Sequence, residues 1–144
     1  MQNKIPACAG MTKIFMPEKK VRQLSPLEIK LNNWVSMHLT RIPFVQKIFF
    51  IDHLKIMIKA GLSIVEALEV LGKEIENKKL AQIVSEIKKG IEEGQQLSEV
   101  LAKHPTVFPP IYVKMMHSGE ISGRLEESLD QIVTQMKKTQ ELTS

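Results

Sequence analysis

Four stretches of this sequence carry residue types that chemistry uses. His117-Ser-Gly-Glu120 sets an imidazole and a carboxylate three positions apart, with His38, His53 and His104 elsewhere in the chain. A zinc centre needs several nitrogen or sulfur ligands together. No two of these histidines stand at helical ligand spacing with a third ligand beside them, and the single Cys8 is remote. Surface histidines are the simpler reading. Glu92-Glu93 and Glu126-Glu127 resemble the paired carboxylates of acid–base catalysis, yet neighbouring residues on a helix point about 100° apart and cannot share one substrate atom. They read as solvated faces. Gly119-x-x-x-Gly123 has the glycines of a phosphate loop but lacks the Lys-Ser/Thr that should follow, and no strand precedes it. Turn glycines account for it better. No catalytic residue, metal or cofactor is assigned, and an enzyme is not expected.

The elements that would position these residues are all helical. Pro26 opens the first helix with Ser25 as its cap, and Leu27, Leu31, Trp34 and Val35 recur at helical spacing before Pro43. Phe50, Leu54, Met57 and Ile58 form the stripe of a second helix, which Ala60-Gly61 should stop in a left-handed turn. Ser63-x-x-Glu66 is a capping box that launches a third helix through Leu68 and Leu71. Asn77 caps a fourth, carrying Leu80, Ile83, Val84 and Ile87 up to Gly94. Leu97 to Leu101 make a short fifth helix that cannot outlast His104-Pro105. Pro109-Pro110 open a sixth, expected to end at Gly119, so that Gly119 and Gly123 bracket a tight connection with Glu120 either on an exposed turn, free for recognition, or accepting N–H groups at the start of the last helix. Leu125, Leu129, Ile132, Val133 and Met136 line the last helix. Met57, Met115, Met116 and Met136 are expected to fill the core, where unbranched thioethers adapt to gaps between helices. An adaptable partner surface is the alternative use for Met115 or Met116 beside Phe108 and Tyr112. The fold class is all-α, a compact antiparallel bundle of six to seven helices, with Leu68, Leu71, Ile83, Ile87 and Leu129 converging inside.

Length and charge set the outer bounds. The 144 residues are one domain's worth, and 43% apolar content excludes wholesale disorder. A chain of this size hides roughly two-thirds of its unfolded surface and needs no staples. One cysteine permits no internal bridge, which suits a reducing compartment. The first fifty residues hold eight Lys/Arg against two acids, a net of +6, whereas residues 51–144 hold twelve against fourteen. A basic leader of that kind attracts nucleic acid or anionic lipid, although it is spread out and offers only Trp34 for stacking on bases. No apolar run approaches the roughly 20 residues that span a bilayer, and no signal-peptide core precedes Ala7 to Ala9. Three regions follow: a flexible basic leader at 1–24, an amphipathic helix and connector at 25–46, and a helical bundle at 47–140.

Three linked segments carry a family resemblance. Leu54-Lys-Ile-Met-Ile-Lys-Ala-Gly-Leu-Ser-Ile-Val-Glu-Ala-Leu68, the run from Gly94 through Phe108-Pro-Pro-Ile-Tyr112, and Gly119-Glu-Ile-Ser-Gly-Arg-Leu-Glu-Glu-Ser-Leu129 are similar, in order and spacing, to the type II secretion F domain. That family comprises inner-membrane platform proteins of type II secretion and type IV pilus machines. The resemblance implies a cytoplasmic bundle, usually present twice in a polytopic membrane protein, of which this chain reads as a piece. It also implies a non-enzymatic platform role at the cytoplasmic face of the bacterial inner membrane. The implied partners are the assembly ATPase and other machine components, with a homo-oligomer allowed and no small-molecule substrate. Gly61, Phe108, Pro109, Tyr112, Gly119, Glu120 and Gly123 are the motif positions that become candidate partner-binding residues. A basic helical nucleic-acid-binding module is the competing reading, and its binding would collapse with added salt.

Overall fold

A computed structural model describes residues 25–39 and 41–144, apart from the side chains at 33 and 36–39. The leader at 1–24 lies outside the described residues. Local signals explain where each helix begins. Helix α1, Pro26–Leu39, starts at Ser25, whose hydroxyl accepts the Glu28 N–H at 3.3 Å while the Glu28 carboxylate accepts the Ser25 N–H at 2.9 Å. Helix α2, Phe44–Lys59, starts directly after Pro43 and buries Ile48, Phe50, Ile51 and Leu54. Helix α3, Ile64–Glu74, is launched by the Ser63/Glu66 capping box. Hydrogen bonds from the Ser63 backbone and hydroxyl hold the Glu66 carboxyl below the usual carboxylate range. Helix α4, Lys78–Glu92, begins where Asn77 Oδ1 accepts the Leu80 N–H at 3.0 Å. Helices α5, Leu97–Ala102, α6, Pro110–Ser122, and α7, Leu125–Thr143, complete the order. All regular structure among the described residues is helical.

The chain divides inside α1, between Asn32 and Asn33, into two units. Within the second unit each helix from α2 to α7 packs on its neighbour in sequence, and α7 returns to pack on α2. The six helices thus close a circuit around one apolar core. Leu54, Leu68, Leu71, Ile87 and Leu129 are fully buried there, and Ile83 nearly so. The expected convergence is what the helical stripes produce. Met116 and Met136 lie in the core, whereas Met57 and Met115 are half-buried against it. No described helix is long and apolar enough to cross a membrane.

One element differs from expectation. Helix α6 does not stop at Gly119 but runs on to Ser122. The left-handed residue is Gly123, with φ of +70°, and Gly119 is buried within the helix with no such backbone. A Cβ at Gly119 would overlap Ser128 Oγ and come within 2.6 Å of Ser128 Cβ. Gly119 is therefore required by the close approach of α7, and Gly123 alone by the turn.

Candidate partner-binding site

Helix α5 is short, and its free N–H groups need acceptors that local sequence only partly supplies. Glu99 accepts the Gln96 N–H at 3.1 Å. The next two donors are met from another helix. Glu120, on α6, accepts the Leu97 N–H at 2.7 Å through Oε1 and the Ser98 N–H at 3.1 Å through Oε2. Glu120 is half-buried and caps α5, which replaces the expectation of a carboxylate on an exposed turn. Extending α6 by one turn beyond Gly119 is what carries Glu120 to that position. Beside it, the buried Ser98 pairs its hydroxyl with His117 Nδ1 at 3.2 Å. The His117-Ser-Gly-Glu120 segment thus holds α5 onto α6 through two side chains from one face of the helix.

The node forms one wall of an open groove of about 520 Å³ between α5 and α6. Ala102, Val113 and Ile121 give it an apolar lining, and Glu99, Lys114 and His117 give it charged or ionisable edges. Ile111, Lys114, Ser118 and Ile121 recur at i, i+3, i+7 and i+10 on the outer side of α6, and Ile121 is 70% exposed. The groove can hold an apolar side chain with a polar rim around it, the composition of a protein-binding patch. Among the described residues no group of three or more His, Cys, Asp or Glu is placed to hold a metal ion. His104 pairs with Glu86 at 3.3 Å across α4 and the end of α5.

The seven motif positions are not gathered in one place. Gly119, Glu120 and Gly123 lie at the end of α6 adjoining the groove. Pro109 precedes the first turn of α6, and Phe108 and Tyr112 flank it with buried side chains. The Phe108 ring meets Phe50 with centroids 5.9 Å apart. These two aromatics with Met116 pack inward, so the adaptable surface considered for Met115 and Met116 is not formed. Gly61 sits in the α2–α3 turn with φ of +96°, on helices that do not approach α6. Sequence reasoning missed Ser98, Ala102 and Ile121 as groove residues. For Ile121 the available signal was its helical spacing with Lys114 and Ser118, whereas Ser98 and Ala102, on α5, carried none.

The family described as type II secretion system (T2SS), protein F, matches residues 50–144. The type IV pilus assembly protein PilC of Thermus thermophilus is 36% identical over 93 residues, covering 65% of this chain and 23% of that protein. The PilC of Pseudomonas aeruginosa is 31% identical over 93 residues, covering 65% and 25%. The type II secretion system protein F of Aeromonas hydrophila is 30% identical over 86 residues, covering 60% and 22%. The matched chain spans about a quarter of the length of these relatives. With the family match running from α2 to the end of α7, this chain belongs to the type II secretion system protein F family.

Proposed function

We propose that residues 47–140 act as an assembly-platform domain of a type II secretion or type IV pilus machine. The domain works at the cytoplasmic face of the bacterial inner membrane and has no catalysis of its own. It presents the α5–α6 groove to the assembly ATPase or another machine component. The carrying observation is the groove itself, an apolar trough whose walls are fixed by the contacts of Glu120 with Leu97 and Ser98. A rigid, preformed surface binds without the entropy cost of ordering loops. The relatives' names, those of pilus assembly and secretion proteins, support this reading and lend nothing to the nucleic-acid alternative.

Ile121→Glu tests it. The residue is exposed, so melting should stay unchanged, while capture of the ATPase from cell extract and pilus or secretion assembly in cells should fall about tenfold or more. Val70→Glu, on an exposed position of α3, serves as the control. Normal assembly in Ile121→Glu would remove the groove from the interface.

A further inference from the structure

We propose that the α5–α6 groove recognises an acidic helical segment of a protein partner, one whose carboxylate lies a helical turn from a large aliphatic residue. This rests on the reading of the groove as a docking surface and names the chemistry of what docks there. Two donors from α6 select the acid. Lys114 and His117, three apart in sequence, both line the groove and are exposed. Among the described residues Lys114 has no ion pair or hydrogen bond, so its charge is not met within the domain. The proton of His117 is placed by Ser98. That hydroxyl is buried, and its one partner among the described residues is His117 Nδ1 at 3.2 Å, so it is fully satisfied only by donating to Nδ1. The neutral ring then carries its proton on Nε2, which has no partner among the described residues. Side chains three apart on a helix stand about 5–6 Å from each other at Cβ. The ammonium of Lys114 and the Nε2–H of His117 can thus meet the two oxygens of one carboxylate. Ile121 lies one turn beyond His117 and is 70% exposed. On a partner helix running along α6, that separation of about 6 Å puts the aliphatic residue three or four positions from the acid. Glu99 sets the direction of approach. It stands on the opposite wall, on α5, with one carboxylate oxygen on the Gln96 N–H, and it turns an incoming acid toward Lys114. A basic segment would be repelled by Lys114, and a purely apolar one would strip water from that ammonium without replacing it.

The full chain, isotope-labelled for nuclear magnetic resonance, is titrated with capped, alanine-based helical peptides of about 16 residues. One carries two leucines a turn apart and a glutamate one turn further on, and two others carry glutamine or lysine in place of the glutamate. The glutamate peptide should bind about tenfold more tightly than the glutamine peptide, and the lysine peptide more weakly still, with the shifts confined to α5 and α6. Lys114→Glu should reverse the order, so that the lysine peptide binds about tenfold more tightly than the glutamate peptide. Ile121→Ser should weaken all three about tenfold, and melting should stay unchanged in both variants. In alkaline buffer, where histidine is neutral, the imidazole nitrogen shifts of His117 should place its proton on Nε2. Equal affinity for the three peptides would overturn the proposal, as would an unaltered order in Lys114→Glu or a His117 proton on Nδ1. Isovalerate binding as tightly as the glutamate peptide would overturn it by assigning the groove to small carboxylic acids. Self-association that Lys114→Glu abolishes would overturn it by assigning the groove to a second copy. Reduced assembly in Ile121→Glu with no glutamate preference would keep the groove at the machine interface and remove its acidic partner. Normal assembly in Ile121→Glu with the preference and its reversal intact would do the opposite.

Discussion

Glu120 and Leu97 are 23 residues apart, yet the carboxylate of one accepts the backbone N–H of the other at 2.7 Å. With the parallel bond to the Ser98 N–H, one side chain satisfies two of the unpaired donors of a six-residue helix. Helix α5 has little intrinsic stability at that length, so its place in the bundle depends on this cap. Glu120→Gln keeps an acceptor and loses the charge, and should cost about 1 kcal/mol. Glu120→Ala should cost about 2 kcal/mol. Melting curves and urea midpoints of both variants measure this. Unchanged melting in Glu120→Ala would mean that α5 does not need its cap.

The Gly119 and Gly123 pair separates two reasons for a glycine. Gly119→Ala should destabilise by about 1–3 kcal/mol through overlap with Ser128, although alanine is otherwise the better helix residue. Ser128→Gly removes the two nearest obstructing atoms, leaving the Arg124 carbonyl oxygen at 3.1 Å, and should recover part of that loss in the double variant. Gly123→Ala should cost about 1 kcal/mol through its left-handed backbone, and Ser128→Gly should not recover it. Equal behaviour of the two alanine variants would contradict the assignment.

The extent to which this structure was legible follows the range of each interaction. Ser63 with Glu66, and Asn77 with Leu80, are three apart in sequence, and both caps form as their residue types dictate. The stripes that include Leu68, Ile87 and Leu129 were legible because burial imposes the helical period. Glycines were not. Gly90 and Gly94, like Gly119 and Gly123, are four apart, and in both pairs the second has positive φ. The first of each pair lies inside a helix against a side chain of the next element, Val100 or Ser128. Nothing within four residues of sequence distinguishes the two kinds. The partner of Glu120 was hidden for the same reason, because the α5 donors reach it only through the packing of α5 on α6.

The core prediction follows from convergence. Leu68 and Ile87 are fully buried on the adjoining helices α3 and α4. Leu68→Ala and Ile87→Ala should each cost about 2–5 kcal/mol, a large share of a total of roughly 5–15. Chemical denaturation should show a lower midpoint in each. A loss under about 1 kcal/mol in both would place these side chains outside the core.

A charged cluster ties α2 to α7 and gives the stability a pH signature. Lys55 Nζ lies 2.9 Å from both Asp52 and Asp130, and Lys137 approaches Asp52 at 3.7 Å. The hydrogen bond from Lys55, aided by the nearby positive charges, holds the Asp52 carboxyl below its ordinary value against the opposing effect of burial. Bonds to Asp52 and Asp130 hold the Lys55 ammonium above its own. Asp52 therefore adds stability that is present above the unfolded carboxylate pKa near about 4 and is lost as pH falls through its folded value. Lys55 adds stability that is complete below the unfolded lysine pKa near about 10.4 and is lost as pH rises through its folded value. At neutral pH both contributions are present. Asp52→Asn should then cost about 1 kcal/mol, within reach of an ion pair that is partly shielded from water. The gap between Asp52→Asn and the parent chain should close as pH falls below the folded-state Asp52 pKa, because the parent has by then lost the same charge. Urea midpoints of both proteins, followed from neutral pH into acid, test this. A gap that persists undiminished at the acid end would show that the amide harms the fold by its shape and that the Lys55 contact carries no pH-dependent stability.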